Sequence, residues 1–238
     1  MKVVIQCAGR KNPTATFTLH QRCLTFLAEP DPSLDQVSPW DKIPGLESND
    51  WIDCIRDIGD PSAWEKYVTA GIGISGGGGL STSGNLYANN IYRQLMARLG
   101  NSNVYILSAG WGLTRADRGI PDYNVTFATD QNTPKAAKIT PKARSEKSSI
   151  EMCIPDDDKI HLFLTPKYYE YWKLSFGAQG NHAERQVLHW RKGQGLPDKN
   201  IPSEQVQWHD CGKMRTNWQY KAAKQFIEAI STREDDKQ

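Results

Sequence analysis

Apolar and polar positions along this chain alternate in short runs, and each run is closed by turn residues. Residues 2–7, KVVIQC, form an apolar stretch that stops at Gly9-Arg10-Lys11-Asn12-Pro13, which predicts a first strand and its turn. Further strands are predicted over 104–108, 160–164 and 205–209, with a short extended piece at 124–128. Helical spacing marks about 85–99, where Leu86, Ile91, Leu95 and Leu99 lie near one face and Ser83 or Asn85 is available as cap. A helix starts at Pro166, with Tyr168, Trp172 and Phe176 four residues apart. Another is predicted over about 181–192, and a terminal one over 217–231 buries Trp218, Ala222, Phe226 and Ile230. Short helices near 18–28 and 61–69 are predicted within a stretch rich in Pro, Asp, Ser and Trp. Strand and helix alternate, so the expected fold is α/β, a mostly parallel central sheet with helices on both faces.

No Pro/Gly linker divides the 238 residues into balanced halves, and no repeat of solenoid length is present. The reading is one domain, with a long insertion at about 14–80 and a basic loop at about 129–149. That loop carries Lys135, Lys138, Lys142, Arg144 and Lys147 against Asp130 and Glu146. Over the whole chain, 29 basic and 27 acidic side chains nearly cancel to +2, so any electrostatic footprint is local. No run of about 18 apolar residues suggests a membrane span. The first strand is too short and polar-flanked for a secretory signal. Five scattered cysteines without a CxxC point to the reducing cytoplasm rather than to a disulfide frame.

The chemistry-bearing stretch is 104–127, VYILSAGWGLTRADRGIPDYNVTF. A strand that runs into small residues and then into Arg115, Asp117, Arg118, Asp122, Tyr123 and Asn124 is how an open α/β sheet presents a site at its carboxyl edge. Asp117, Asp122 and Asn124 are the best chemical groups. They can orient a water or stabilise an oxocarbenium ion, although Asp and Asn also favour turns. The glycine loop 73–85, GISGGGGLSTSGN, is neither a P-loop nor a Rossmann fingerprint, yet Ser75, Gly77 and Ser81 can offer backbone N–H groups to a phosphate. The basic loop (Lys138, Lys142, Arg144) and a basic helix face (His182, Arg185, His189, Lys192) suit a phosphodiester backbone. Metal is disfavoured: His209 and Cys211 have no second pair at ligand spacing. Ser108 lacks a nucleophile elbow, and Cys7 ends a buried strand, where cysteine is usually inert packing.

Several of these segments resemble the YaaA-like family. The matching pieces are Cys7-Ala8-Gly9-Arg10-Lys11, then Leu86-Tyr87, then Leu107-Ser108-Ala109-Gly110-Trp111-Gly112-Leu113 with Pro121-Asp122-Tyr123-Asn124-Val125-Thr126. They cover roughly a third of the chain, and relatives with Tyr-Asp differ from Tyr123-Asn124 here. The family is similar in fold to uracil-DNA-glycosylase-type enzymes, which implies DNA as partner and base flipping as the mode of access. On that resemblance Trp111 and Tyr123 stack on a flipped base, and Ser108 and Cys7 line its pocket. Asp122, Asn124 and Asp117 act on water. Arg10, Lys11, Ser75, Gly77, Ser81, Arg115, Lys138, Lys142, Arg144, Lys167 and Arg185 hold phosphates. The implied activity needs no metal or cofactor: a DNA glycosylase that removes a hypermodified or glucosylated pyrimidine from phage DNA, in anti-phage defence. The alternatives are a non-catalytic DNA-binding stress protein and a hydrolase of small nucleosides or nucleotides.

Overall fold

The computed structural model describes residues 1–12, 16–19, 22–23, 72–75, 81–120, 125–127, 137–138, 140–145, 154–155, 158–176, 182–214 and 217–235. In chain order the strands are β1 (Lys2–Gln6), β2 (Thr16–Leu19), β3 (Arg22–Cys23), β4 (Ile72–Ser75), β5 (Ser81–Thr82), β6 (Val104–Ser108), β7 (Gly112–Arg115), β8 (Gly119–Ile120), β9 (Val125–Thr126), β10 (Ala137–Lys138), β11 (Ile160–Phe163), β12 (Gln186–Arg191) and β13 (Val206–His209). The helices are α1 (Ser83–Leu86), α2 (Ile91–Leu99), α3 (Pro141–Ser145), α4 (Pro166–Ser175), α5 (His182–Arg185) and α6 (Trp218–Asp235).

The central sheet has six strands in the order β13-β12-β11-β1-β6-β7. All pairs are parallel except β6 with β7. Val3, Val4 and Ile5 of β1, and Val104 to Leu107 of β6, are buried. Such unbroken apolar runs belong to strands covered on both faces. Counting the parallel strands alone, the order across the sheet is 2-1-3-4-5, one of the two common doubly wound arrangements. The connection reverses direction between β1 and β11, so the crevice at the carboxyl ends of those two strands is the topological switch point.

One face is covered by α2 and α6, which touch each other; α6 also touches β11 and β12. Trp218, Gln219, Ala222, Ala223 and Phe226 are buried in α6, the apolar ones close to the predicted stripe, with Ile230 partly buried behind them. The other face carries α4, whose Tyr169 and Trp172 line a shallow pocket with Gln186 of β12. Proline at the first position of α4 fits its missing N–H.

Several sequence expectations are corrected. The helix expected near 18–28 is replaced, in its described part, by β2 and β3, which form an antiparallel sheet with β4. The helix expected near 61–69 lies outside the described residues. The helix expected over 85–99 is broken in two, α1 and α2, because Tyr87 leaves helical geometry (φ −86°, ψ 133°) to bridge Lys11. Most of the helix expected over 181–192 is the strand β12. The alternating QVLHWR lets β12 pair with β11 and β13, and α5 keeps only four residues. The proposed basic helix face therefore does not exist, and His189 is buried in the sheet.

The polar loop expected after Ser108 is instead a hairpin. Ser108 pairs with Gly112 across a three-residue loop, and Gly112 takes φ +73°, a left-handed conformation that glycine adopts without strain. The Ser108 Oγ accepts hydrogen bonds from the N–H groups of Gly110 (3.1 Å) and Trp111 (3.0 Å), which closes the turn. β7 then runs back along β6 to its amino end, where the Ala116 N–H donates to the Val104 carbonyl at 2.8 Å.

Candidate functional site

At the switch-point crevice the end of β1, Gln6 and Cys7, is held by contacts from α4, α2 and α6. Gln6, the last residue of β1, accepts the Thr165 N–H through Oε1 at 2.6 Å and so ties β1 to the start of α4. The next residue, Cys7, places its Sγ 3.0 Å from the Tyr168 hydroxyl. Two phenols from the α2–α6 layer meet the same backbone. Tyr92 donates to the Gln6 carbonyl at 2.7 Å, and Tyr220 donates to the Cys7 carbonyl at 3.4 Å. The two hydroxyls are 3.3 Å apart. Tyr87 packs on Tyr92 with ring centroids 5.0 Å apart.

Burial dominates the electrostatics here. It raises the Tyr92 and Tyr168 phenols well above 10 and pushes Tyr220 up to about 12. At neutral pH the three phenols are therefore uncharged hydroxyls. Such groups position and recognise; they do not carry charge. Cations stand outside them: Arg10 is exposed, Lys11 is half-buried, and Lys167 donates from Nζ to the Phe127 carbonyl at 2.8 Å. Phe127 sets its ring against Tyr168 (4.8 Å) and Tyr171 (5.3 Å). The chain leaving residues 121–126 is thus anchored beside the crevice.

The structure brings some predicted site residues together and separates others. Cys7, Arg10, Lys11, Ser108, Trp111 and Lys167 belong to the carboxyl edge. Trp111 and Ser108 are fully buried there. Trp111 is a core ring in this conformation and offers no open face to a base, and Ser108 serves the hairpin turn. Arg115 and Asp117 are carried by β7 to the amino edge, where Arg115 Nε donates to Asp117 Oδ1 at 2.6 Å. Arg185 lies at that edge too, donating to the carbonyls of Pro155 (3.4 Å) and Asp158 (3.2 Å). Asp117, Arg115 and Arg185 are therefore a sheet's length from Cys7 and do not share a site with it.

Ser75 ends β4, and Ser81 opens β5 opposite Ile120. Lys138 stands in register with Thr126 in the β9–β10 pair. Lys142 is exposed on α3, which packs against α4 and also contains Arg144. Gly77, Asp122, Tyr123 and Asn124 lie outside the described residues. Among the described residues, no group of three or more His, Cys, Asp or Glu side chains is arranged to hold a metal ion. No helix of the described residues is long and apolar enough to cross a membrane.

Sequence reasoning missed Gln6, Tyr92 and Tyr220. The available signal was a polar or amphipathic residue at an otherwise apolar position, such as Gln6 closing KVVIQ. It also missed a chain of three buried histidines, because their partners come from three separate strands. Compared with protein-family models and with curated proteins, the chain matches none.

Proposed function

We propose that the switch-point crevice receives an extruded nucleotide and that the protein is a DNA glycosylase acting on a modified pyrimidine. The observation that carries this reading is the meeting of three distant segments at one sheet edge. Cys7 donates its N–H to the Leu107 carbonyl at 2.9 Å, Lys11 bridges Tyr87, and Ala88 donates to the Arg10 carbonyl at 3.1 Å. These are the segments that resemble the YaaA-like family. Open α/β sheets bind ligands at this point of the topology.

The division of labour follows from the chemistry of each group. Uncharged hydroxyls and an amide suit the polar edge of a base, and Arg10, Lys11 and Lys167 suit its flanking phosphates. Phe127, three residues beyond Asn124, docks on Tyr168. Asp122 and Asn124 then act on a water that attacks the anomeric carbon. The N-glycosidic bond breaks, the base leaves with a proton, and the strand keeps an abasic sugar. A uracil-DNA-glycosylase-like architecture and a cytoplasmic, anti-phage setting belong to this same reading.

The test is base release from DNA carrying modified cytosines, revealed by alkali. Wild-type protein produces breaks in modified DNA, and an Asp122→Asn, Asn124→Ala double variant does not. Salt-dependent binding without breaks supports the non-catalytic DNA-binding reading instead.

A further inference from the structure

His161 of β11, His189 of β12 and His209 of β13 form an unbroken row beneath α6. His161 Nδ1 is 2.9 Å from His189 Nε2, and His189 Nδ1 is 2.7 Å from His209 Nε2. His209 Nδ1 is 2.9 Å from Gln225 Oε1 on α6. All three rings are buried. The parallel register explains the row: each histidine is two residues further along than the partner of the one before it, which keeps all three on one face.

The direction of every hydrogen bond is fixed from one end. Gln225 Nε2 donates to the Asp210 carbonyl at 3.1 Å, and a carbonyl can only accept, so Oε1 must face His209. His209 Nδ1 therefore carries a proton and its Nε2 accepts. His189 Nδ1 must then donate, and so must His161 Nδ1. The neutral row holds three Nδ1–H tautomers pointing toward α6, and among the described residues its one open acceptor is His161 Nε2. A first proton enters there without reversing any bond. A second proton sets two N–H donors face to face and breaks the row.

We propose that this row is an acid latch: intact, it clamps α6 to the sheet; doubly protonated, it lets α6 go and withdraws Tyr220 from Cys7 and Tyr92. The same helix carries both contacts, since Gln225 and Phe226 lie on the row and Tyr220 lies on the crevice. Phe163 stacks on His189 at 4.1 Å and Phe226 meets it edge-on at 5.1 Å, so incoming charge is not solvated by water. The charged groups around the row reinforce this. Lys159 and the N-terminal amine, itself held by Asp158, oppose a proton on His161. Arg191 stands in register beside His209 with its guanidinium on the Met214 carbonyl. On α6 the flanking charges, Lys221, Lys224 and Glu228, are exposed. Burial moves His161 down to about 4 and holds His189 and His209 below their ordinary value.

Two measurements on the full chain test the latch, and neither reads catalysis. Long-range nitrogen–proton NMR near neutral pH gives the tautomers, and three Nδ1–H rings are expected. Hydrogen exchange followed from about pH 6.5 to about pH 4 gives the opening, with protection in α6 falling before that in β1 and β6, by about tenfold per pH unit for each proton taken up. Gln225→Glu supplies a carboxylate to His209 and shifts the loss of α6 protection. His189→Phe keeps a packed ring and makes that loss shallower. An Nε2–H tautomer at His189, or α6 and β1 losing protection together at every pH, overturns the proposal.

Discussion

The Sγ of Cys7 and the hydroxyl of Tyr168 lie 3.0 Å apart and join the carboxyl end of β1 to the first turn of α4. This contact closes the crevice on the α4 side, as the Tyr92–Gln6 bond does on the α2 side. Tyr168→Phe removes only the hydroxyl, and its expected cost is about 1 kcal/mol, read from a denaturant midpoint. A spectrophotometric titration checks the burial. Tyr92 and Tyr168 ionise only well above 10, after exposed tyrosines have done so. Because the folded state raises these phenols, their contribution to stability is complete below the unfolded value near 10 and is lost as pH rises beyond it.

Trp111 has no exposed surface. Trp111→Ala is expected to cost about 3–5 kcal/mol, as for other fully buried aromatic rings, and thermal melting reads the loss. A ring that stacked on a base from solvent would instead leave the melting temperature unchanged.

Gly84 in α1 is packed against Met96 of α2, and a Cβ placed there would meet Met96 Sδ and lie 3.1 Å from Ala116 Cβ. Gly84→Ala should destabilise the fold by about 1–3 kcal/mol. Because the obstructing atoms end a flexible side chain, adding Met96→Ala should recover part of that loss. A double-mutant cycle measures the coupling.

Acid stability follows from the histidine row. Folding lowers all three imidazoles below the unfolded value of 6.5, chiefly through burial. Above about pH 6.5 both states are neutral and the row adds no pH dependence. As pH falls below that value the unfolded chain takes up protons first. Stability then drops by about 1.4 kcal/mol per pH unit for each histidine. For His161 the drop ends near 4, where the folded protein also protonates. Urea denaturation at a series of pH values measures the slope, and His209→Gln should make it shallower.

The sequence pattern was most legible where an element is long and its apolar positions repeat. β1, β6, β11, α4 and α6 could all be read within a residue or a few of their bounds. It was least legible where two periods compete. QVLHWR fits a helical face by spacing, but pairing with β11 and β13 makes it a strand. GLTR is short and begins with a glycine, so nothing local announces that it folds back on β6 and carries Asp117 to the far edge. Cys7 and Lys11 were found through a motif. Gln6, Tyr92 and Tyr220 were not, because their partners are Thr165, a backbone carbonyl and one another, contacts set by tertiary structure alone.

The activity proposed for the crevice beside Cys7 is removal of a base from DNA. The most direct measurement is alkali-revealed strand breakage after incubation with unmodified DNA and with DNA carrying glucosylated hydroxymethylcytosine. Breaks are expected in the modified DNA alone and are abolished by Asp122→Asn with Asn124→Ala. Breaks that survive the double variant would contradict the assignment of the chemistry. Binding to both DNAs without any break would contradict the enzyme itself.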